Sequence, residues 1–149
     1  MITTSQYYPP VGFSFKINVE GIMGVNEGSF QEVSGLNVKI TPKNVEEGGE
    51  NRFIHRFPTP PNYENLILKR GMLIGSPLIA WARTSFELFT FFPKIVNLNL
   101  LDQTGAPISS WMFVNAYPVA MKISEFKAQE NTLVVETMEL CFDYFTKVN

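Results

Sequence analysis

Hydrophobic and polar residues alternate with a period of two along several short stretches, the signature of strands with one buried face. Phe13, Phe15, Ile17 and Val19 fall on one side and Ser14, Lys16, Asn18 and Glu20 on the other, so the polar side is expected to be wet or to line a channel. Val96, Leu98 and Leu100 alternate with Asn97 and Asn99 in the same way. The Asp102-Gln103-Thr104-Gly105 segment that follows reads as a turn with glycine where positive φ is needed, pairing this strand with one that contains Trp111 to Tyr117.

Two stretches lack the clean alternation. In Trp111 to Tyr117 a period of two puts Trp111, Phe113 and Tyr117 opposite Met112, Val114 and Ala116; in Thr132 to Phe142 it puts Leu133, Val135 and Cys141 opposite Val134, Met138 and Leu140. Strands apolar on both faces are covered on both faces. They are expected either at the centre of a sandwich or between a helix and a sister subunit.

One helix is predicted from Ser76 to about Phe91. Ser76 suits the N-cap, Pro77 the first helical position, and Pro93 halts the segment. Leu78, Trp81, Ala82, Ser85, Leu88, Phe89 and Phe92 fall on one face with Arg83 and Glu87 on the other, and such a stripe is expected to pack as core against the β-structure. The fold class is therefore mainly β, a two-sheet sandwich or distorted barrel with one packed helix, in a single domain over 1–149.

Between the strand-like runs around Phe30 to Leu36 and Leu66 to Gly71 lies a long excursion, read as an extended hairpin tipped by Gly48 and Gly49. The tip glycines are expected to take positive φ. A segment of this length with no helix must find partners for its backbone polar groups, and a neighbouring subunit is the expected place. Its acidic side, Glu46, Glu47 and Glu50 around the two glycines, and a basic side of Arg52, Arg56, Lys69 and Arg70 predict a charge-complementary contact between copies, with Leu36 at the root of the excursion. The bland alternative is a solvated hairpin with compensating charges.

An ordered series of short motifs runs through nearly the whole chain: Phe30-Gln31-Glu32-Val33-Ser34-Gly35-Leu36, Glu47-Gly48-Gly49-Glu50-Asn51, Asn65-Leu66-Ile67-Leu68-Lys69-Arg70-Gly71, a lone Trp81 inside the helix, Leu100-Leu101-Asp102, Trp111, Asn115-Ala116-Tyr117-Pro118 and Glu130-Asn131-Thr132-Leu133-Val134-Val135-Glu136. The series resembles the tail-tube proteins of contractile phages and of phage-tail-like extracellular injection systems. Its Cys141-Phe142-Asp143-Tyr144-Phe145 segment is more aromatic than that family's usual pattern. The resemblance implies hexameric rings whose inner sheets join into one closed β-barrel, stacked into a rigid inner tube with a central channel for cargo. It also implies sheath, baseplate or spike, and cap partners, and assembly into a phage tail or an extracellular particle. Within the same family the alternative is a ring that initiates the tube on the baseplate; outside it, a small β-barrel enzyme or ligand carrier.

Composition narrows the alternatives. Charged residues are 17% against 45% hydrophobic, below the roughly 25% charge of ordinary domains, so partners are expected to cover some apolar surface. With 12 Lys+Arg against 14 Asp+Glu, specific nucleic-acid binding is not expected. One cysteine, Cys141, and one histidine, His55, supply neither an internal disulfide nor a zinc site. No G-x-S-x-G surrounds Ser34, Ser109 or Ser110, Gly48-Gly49 lacks a phosphate-loop lysine, and Glu136 and Glu139 fall on opposite faces of a strand. No catalytic residue, cofactor or metal is therefore expected. Met1 to Pro10 lacks the pattern of a signal peptide and no apolar run approaches the roughly 20 residues that span a bilayer. Synthesis in the cytoplasm and no stable membrane insertion of the monomer follow as expectations.

Overall fold

The computed structural model describes residues 14–22, 27–46, 48–49, 51–71, 76–124 and 134–148. In chain order its elements are β1 (Ser14–Val19), β2 (Glu27–Phe30), β3 (Glu32–Ser34), β4 (Val38–Lys39), β5 (Lys43–Val45), β6 (His55–Phe57), β7 (Asn62–Tyr63), β8 (Leu66–Gly71), α1 (Pro77–Glu87), β9 (Lys94–Leu101), β10 (Pro107–Ile123), β11 (Val135–Cys141) and β12 (Tyr144–Lys147). Phe13 and Glu130 to Leu133, included in the readings above, lie outside the described residues.

The main sheet has the order β2-β1-β9-β10-β11-β8-β3, with β12 beside β10. It doubles over at two corners. One is the long strand β10, whose first half pairs with β9 and β12 and whose second half pairs with β11. The other is Gln31, which separates β2, paired with β1, from β3, paired with β8; its amide donates to the Lys69 carbonyl at 2.9 Å. The inner faces of the two leaves share one core: Ile17, Val19, Val96 and Leu98 from one, Leu66, Leu68, Met138 and Leu140 from the other, with Phe113 and Ala116 of β10 between them. The expected mainly β sandwich with one packed helix is present, and among the described residues its sheets are not closed within one chain.

β11, expected to be covered on both faces, buries only that of Glu136, Met138 and Leu140; along β1, β8 and β9 burial also alternates, as the period-two pattern of β1 and β9 predicts. In β10 it does not. Phe113, Ala116 and Pro118 are the buried positions, so Ala116 joins Phe113 in the core and Tyr117 turns away from it. The cause is a bulge: the register shifts between Phe113 and Ala116, and Asn115 sits at φ 53. That left-handed asparagine is held by its own side chain, whose Nδ2 donates to Asp143 Oδ2 at 2.7 Å.

The helix begins where expected but ends at Glu87, short of Phe91. Leu88 closes it with an amide donated to the Thr84 carbonyl at 3.2 Å, and Phe89 then adopts φ 48. The chain has to turn back before Pro93 to enter β9, and Trp81 Nε1 clamps that return by donating to the Phe92 carbonyl at 3.1 Å. Leu78, Trp81, Ala82 and Ser85 form the buried stripe. Leu88, Phe89 and Phe92, expected on that stripe, are exposed instead.

The predicted turn after β9 is built around Asp102, whose Oδ1 accepts from the Thr104 amide (2.8 Å), the Thr104 hydroxyl (2.6 Å) and the Ala106 amide (3.0 Å), with Gly105 at φ 86. The Thr104 hydroxyl, followed by the Ala106 amide, lowers the carboxyl pKa. A lowered folded-state pKa stabilises the turn above the ordinary carboxylate range, and that contribution fades as pH falls through the lowered value. An Asp102→Ala variant should therefore lose stability less steeply on acidification than the parent, which urea midpoints between neutral and acid pH would measure.

Candidate assembly surface

The excursion leaves the sandwich between β3 and β8, which pair antiparallel at its root. Gly35 starts it at φ 94. Two short ribbons carry it outward: β4 pairs with β7 through Val38↔Tyr63 and Lys39↔Asn62, and β5 pairs with β6 through Lys43↔Phe57, Asn44↔Arg56 and Val45↔His55. Side chains brace the ladder where pairing is broken. Asn37 Nδ2 donates to Glu64 Oε2 at 2.9 Å, the Thr59 hydroxyl to the Thr41 carbonyl at 2.6 Å, and Asn65 Nδ2 to Glu139 Oε1 at 2.8 Å, tying the root to β11.

An aromatic cluster fixes the direction in which the ribbons leave. Tyr63 of β7 packs edge-on against Phe142 (5.8 Å between centroids) and Phe145 (5.2 Å), and both of those contact Phe113 in the core. The aromatic C-terminal segment is thus the seat of the excursion's base.

The candidate contact residues separate into three groups. Glu46, Gly48, Gly49, Arg52 and Arg56 are exposed on the outer ribbon and its tip. Only Gly49 of the two tip glycines has positive φ, at 104. Glu47 and Glu50 lie outside the described residues. Leu36, Lys69 and Arg70 belong to the body of the chain: Leu36 is half-buried against the core, and Lys69 Nζ stands 3.9 Å from Glu32 Oε1 on the neighbouring strand.

Arg70 is a correction. It is 3% exposed and points inward, its Nε donating to Glu136 Oε1 at 2.7 Å and its Nη2 to Ser76 Oγ at 2.8 Å, with the guanidinium 5.0 Å from the centre of the Phe30 ring. It joins β8, β11, β2 and the start of α1, and has no surface to offer a second copy. Ser76 accordingly occupies the N-cap position without capping the helix through its side chain.

Charge alone misses the apolar part of the outer surface. Val38, Ile40, Phe53, Ile54 and Phe57 are exposed along the ribbons, and Phe86, Leu88, Phe89 and Phe92 form a second exposed group at the end of α1. His55 lies between Phe53 and Phe57, edge-on to the first at 4.9 Å and stacked on the second at 6.2 Å. The run Arg52-Phe53-Ile54-His55-Arg56-Phe57 carried this signal, because so many large apolar side chains on so narrow a ribbon cannot all be covered within it. Among the described residues no three His, Cys, Asp or Glu side chains gather as a metal site, and no helix is long and apolar enough to cross a membrane.

Comparison with known proteins agrees with this architecture. A chain of the anti-feeding prophage baseplate superposes with a TM-score of 0.78 at 24% identity, covering 95% of this chain and 97% of that one. A chain of the PVC sheath–tube complex, an extracellular contractile injection system in its extended state, gives a TM-score of 0.78 at 24% identity over 99% and 98%. Hcp1 from Salmonella typhimurium is more distant, with a TM-score of 0.58 at 15% identity over 91% and 85%. No curated protein sequence matches the chain. Residues 11–146 match the family described as T4-like virus tail tube protein gp19, and the chain belongs to that family.

Proposed function

We propose that the chain is a subunit of the rigid inner tube of a contractile injection apparatus, forming stacked hexameric rings around a channel that conducts cargo. Membership of the tail tube family across residues 11–146 carries this reading. The open sheet edges support it, since closing a ring would pair strand edges that a lone subunit leaves available. So do the exposed apolar ribbons, which require cover. The task is mechanical and conductive, with sheath, baseplate or spike, and cap proteins as partners, and with no catalytic residue, cofactor or bound nucleic acid. The resemblance to a baseplate chain equals that to a sheath–tube chain, which favours as a second reading a ring that initiates the tube on the baseplate.

Negative-stain images and small-angle scattering of concentrated protein should show rings or stacked tubes, and supplying baseplate components should nucleate them. A compact monomer that persists with baseplate partners present would refute the tube reading. Particles that bind baseplates as a single ring and never extend would select the initiator.

Arg52 and Arg56 remain as the basic side of a contact with acidic groups of an adjacent copy. Reversing both to glutamate should reduce tube yield at low salt, with a smaller loss near 0.5 M salt because exposed pairs are already screened there. An equal loss at both salt concentrations would show that charge is not what the ribbon uses.

A further inference from the structure

One flank of α1, at the edge of its buried stripe, borders an open groove of about 420 Å³, lined by Ile22, Ala80, Trp81, Thr84, Phe92 and Lys94 among others. Its walls are mainly apolar. The indole N–H of Trp81 is already bound to the Phe92 carbonyl, so the ring presents hydrocarbon to the groove rather than a donor seeking a partner. The Lys94 ammonium lies at one end, over Gly21. Beyond the rim the exposed Phe86, Leu88 and Phe89 extend the apolar surface, and Phe89, at φ 48, stands 83% exposed.

The same chain carries a plug for such a groove. Phe53 and Ile54 stand 53% and 51% exposed at the tip of the outer ribbon, where Glu46 borders the same hollow as these two side chains. The geometry points to the α1 groove as the receptor for the ribbon tip of a second copy, with the Phe53 ring against Trp81 and Thr84, and Glu46 brought towards Lys94. A large aromatic anchor in an apolar slot with a charge at its edge is the usual form of an interface hot spot. Because plug and receptor are different surfaces of one chain, each copy gives one and receives one. A contact of that kind propagates head to tail and closes when the rotation permits. The inference rests on the ring-forming reading and adds to it which surfaces meet.

Cysteine cross-linking tests it in a Cys141→Ala background, which removes the only native thiol. Asn51→Cys, beside the Phe53 anchor on the same tip hollow, and Thr84→Cys in one chain should give, on mild oxidation, a non-reducing gel ladder from dimer upward, with most of the monomer consumed. Mixing the two single variants should give dimers, and each single variant alone should stay monomeric on the gel. Rings or tubes seen by electron microscopy with no ladder from the double variant would overturn the pairing and leave the ring reading standing. Shielding of Thr84→Cys from maleimide only after sheath protein is added would also overturn it, by giving the groove to the sheath. Failure to form either rings or a ladder would remove both the pairing and the reading beneath it.

Discussion

Replacing Glu136 by alanine should destabilise the subunit by about 3–5 kcal/mol, the cost of leaving a buried charge without its partner. Glu136 is 6% exposed and Arg70 3%, and the pair is held at 2.7 Å with Ser76 and Phe30 also against the arginine. Truncating the carboxylate takes from the guanidinium its charged partner in an interior where water cannot replace the lost oxygen. Replacing both groups by apolar residues of similar volume, as in Arg70→Met/Glu136→Leu, should recover most of the loss, since the desolvation of two ions disappears with them. Urea unfolding of the subunit, read from the midpoint at unchanged slope, measures both effects. A Glu136→Ala loss below about 1 kcal/mol would mean that the site opens to water or repacks at little cost.

Arg70 also shows what the sequence contained and charge intuition passed over. Lys69 and Arg70 are adjacent and look like one basic patch, but in a strand neighbours point to opposite faces. Leu66, Leu68 and Arg70 share a parity, as do Glu136, Met138 and Leu140, so the rule that identified the strands already placed both charged residues on core faces. The antiparallel register then sets Glu136 opposite Arg70. What no local pattern supplied was that register, which depends on the whole sheet.

The helix end and the β10 bulge were hidden for different reasons. The apolar stripe continues from Ser85 through Leu88, Phe89 and Phe92 at helical spacing, so periodicity alone extends α1. The helix stops at Glu87 because the path to β9 and the Trp81 clamp on Phe92 outweigh the few further helical hydrogen bonds. Asn115 tolerates positive φ better than most residues, and that faint signal was the only local sign of the bulge that turns Ala116 inward. The excursion, by contrast, was legible as an element. Its flanking strands, glycine tip and lack of helix were all readable, whereas its seat on Phe142 and Phe145 required the fold.

Gly35 sits where the excursion departs, and Gly35→Ala should be among the most damaging single-methyl additions in the chain. At φ +94 an alanine is strained whatever space surrounds it, and here its Cβ would fall onto the Asn65 carbonyl oxygen, 2.9 Å from the carbonyl carbon and 3.2 Å from Leu66 Cα. These are backbone atoms with little freedom to retreat: Leu66 is fully buried and paired with Leu140, and the Asn65 side chain is bound to Glu139. Left-handed strain and steric overpacking together should cost about 2–5 kcal/mol, and relief requires β3 to part from β8. Gly49→Ala is the matched control, because Gly49 has φ +104 but nothing lies within 4 Å of the added carbon; strain alone should cost about 1–2 kcal/mol. Urea midpoints of the two variants, followed by imaging of their assemblies, separate the contributions. The expected result is a large loss of subunit stability with misdirected or absent assembly for Gly35→Ala, against a small loss for Gly49→Ala. Equal midpoints would show that the root of the excursion can shift to admit a methyl group, and that the close approach of Gly35 to Asn65 does not set its direction.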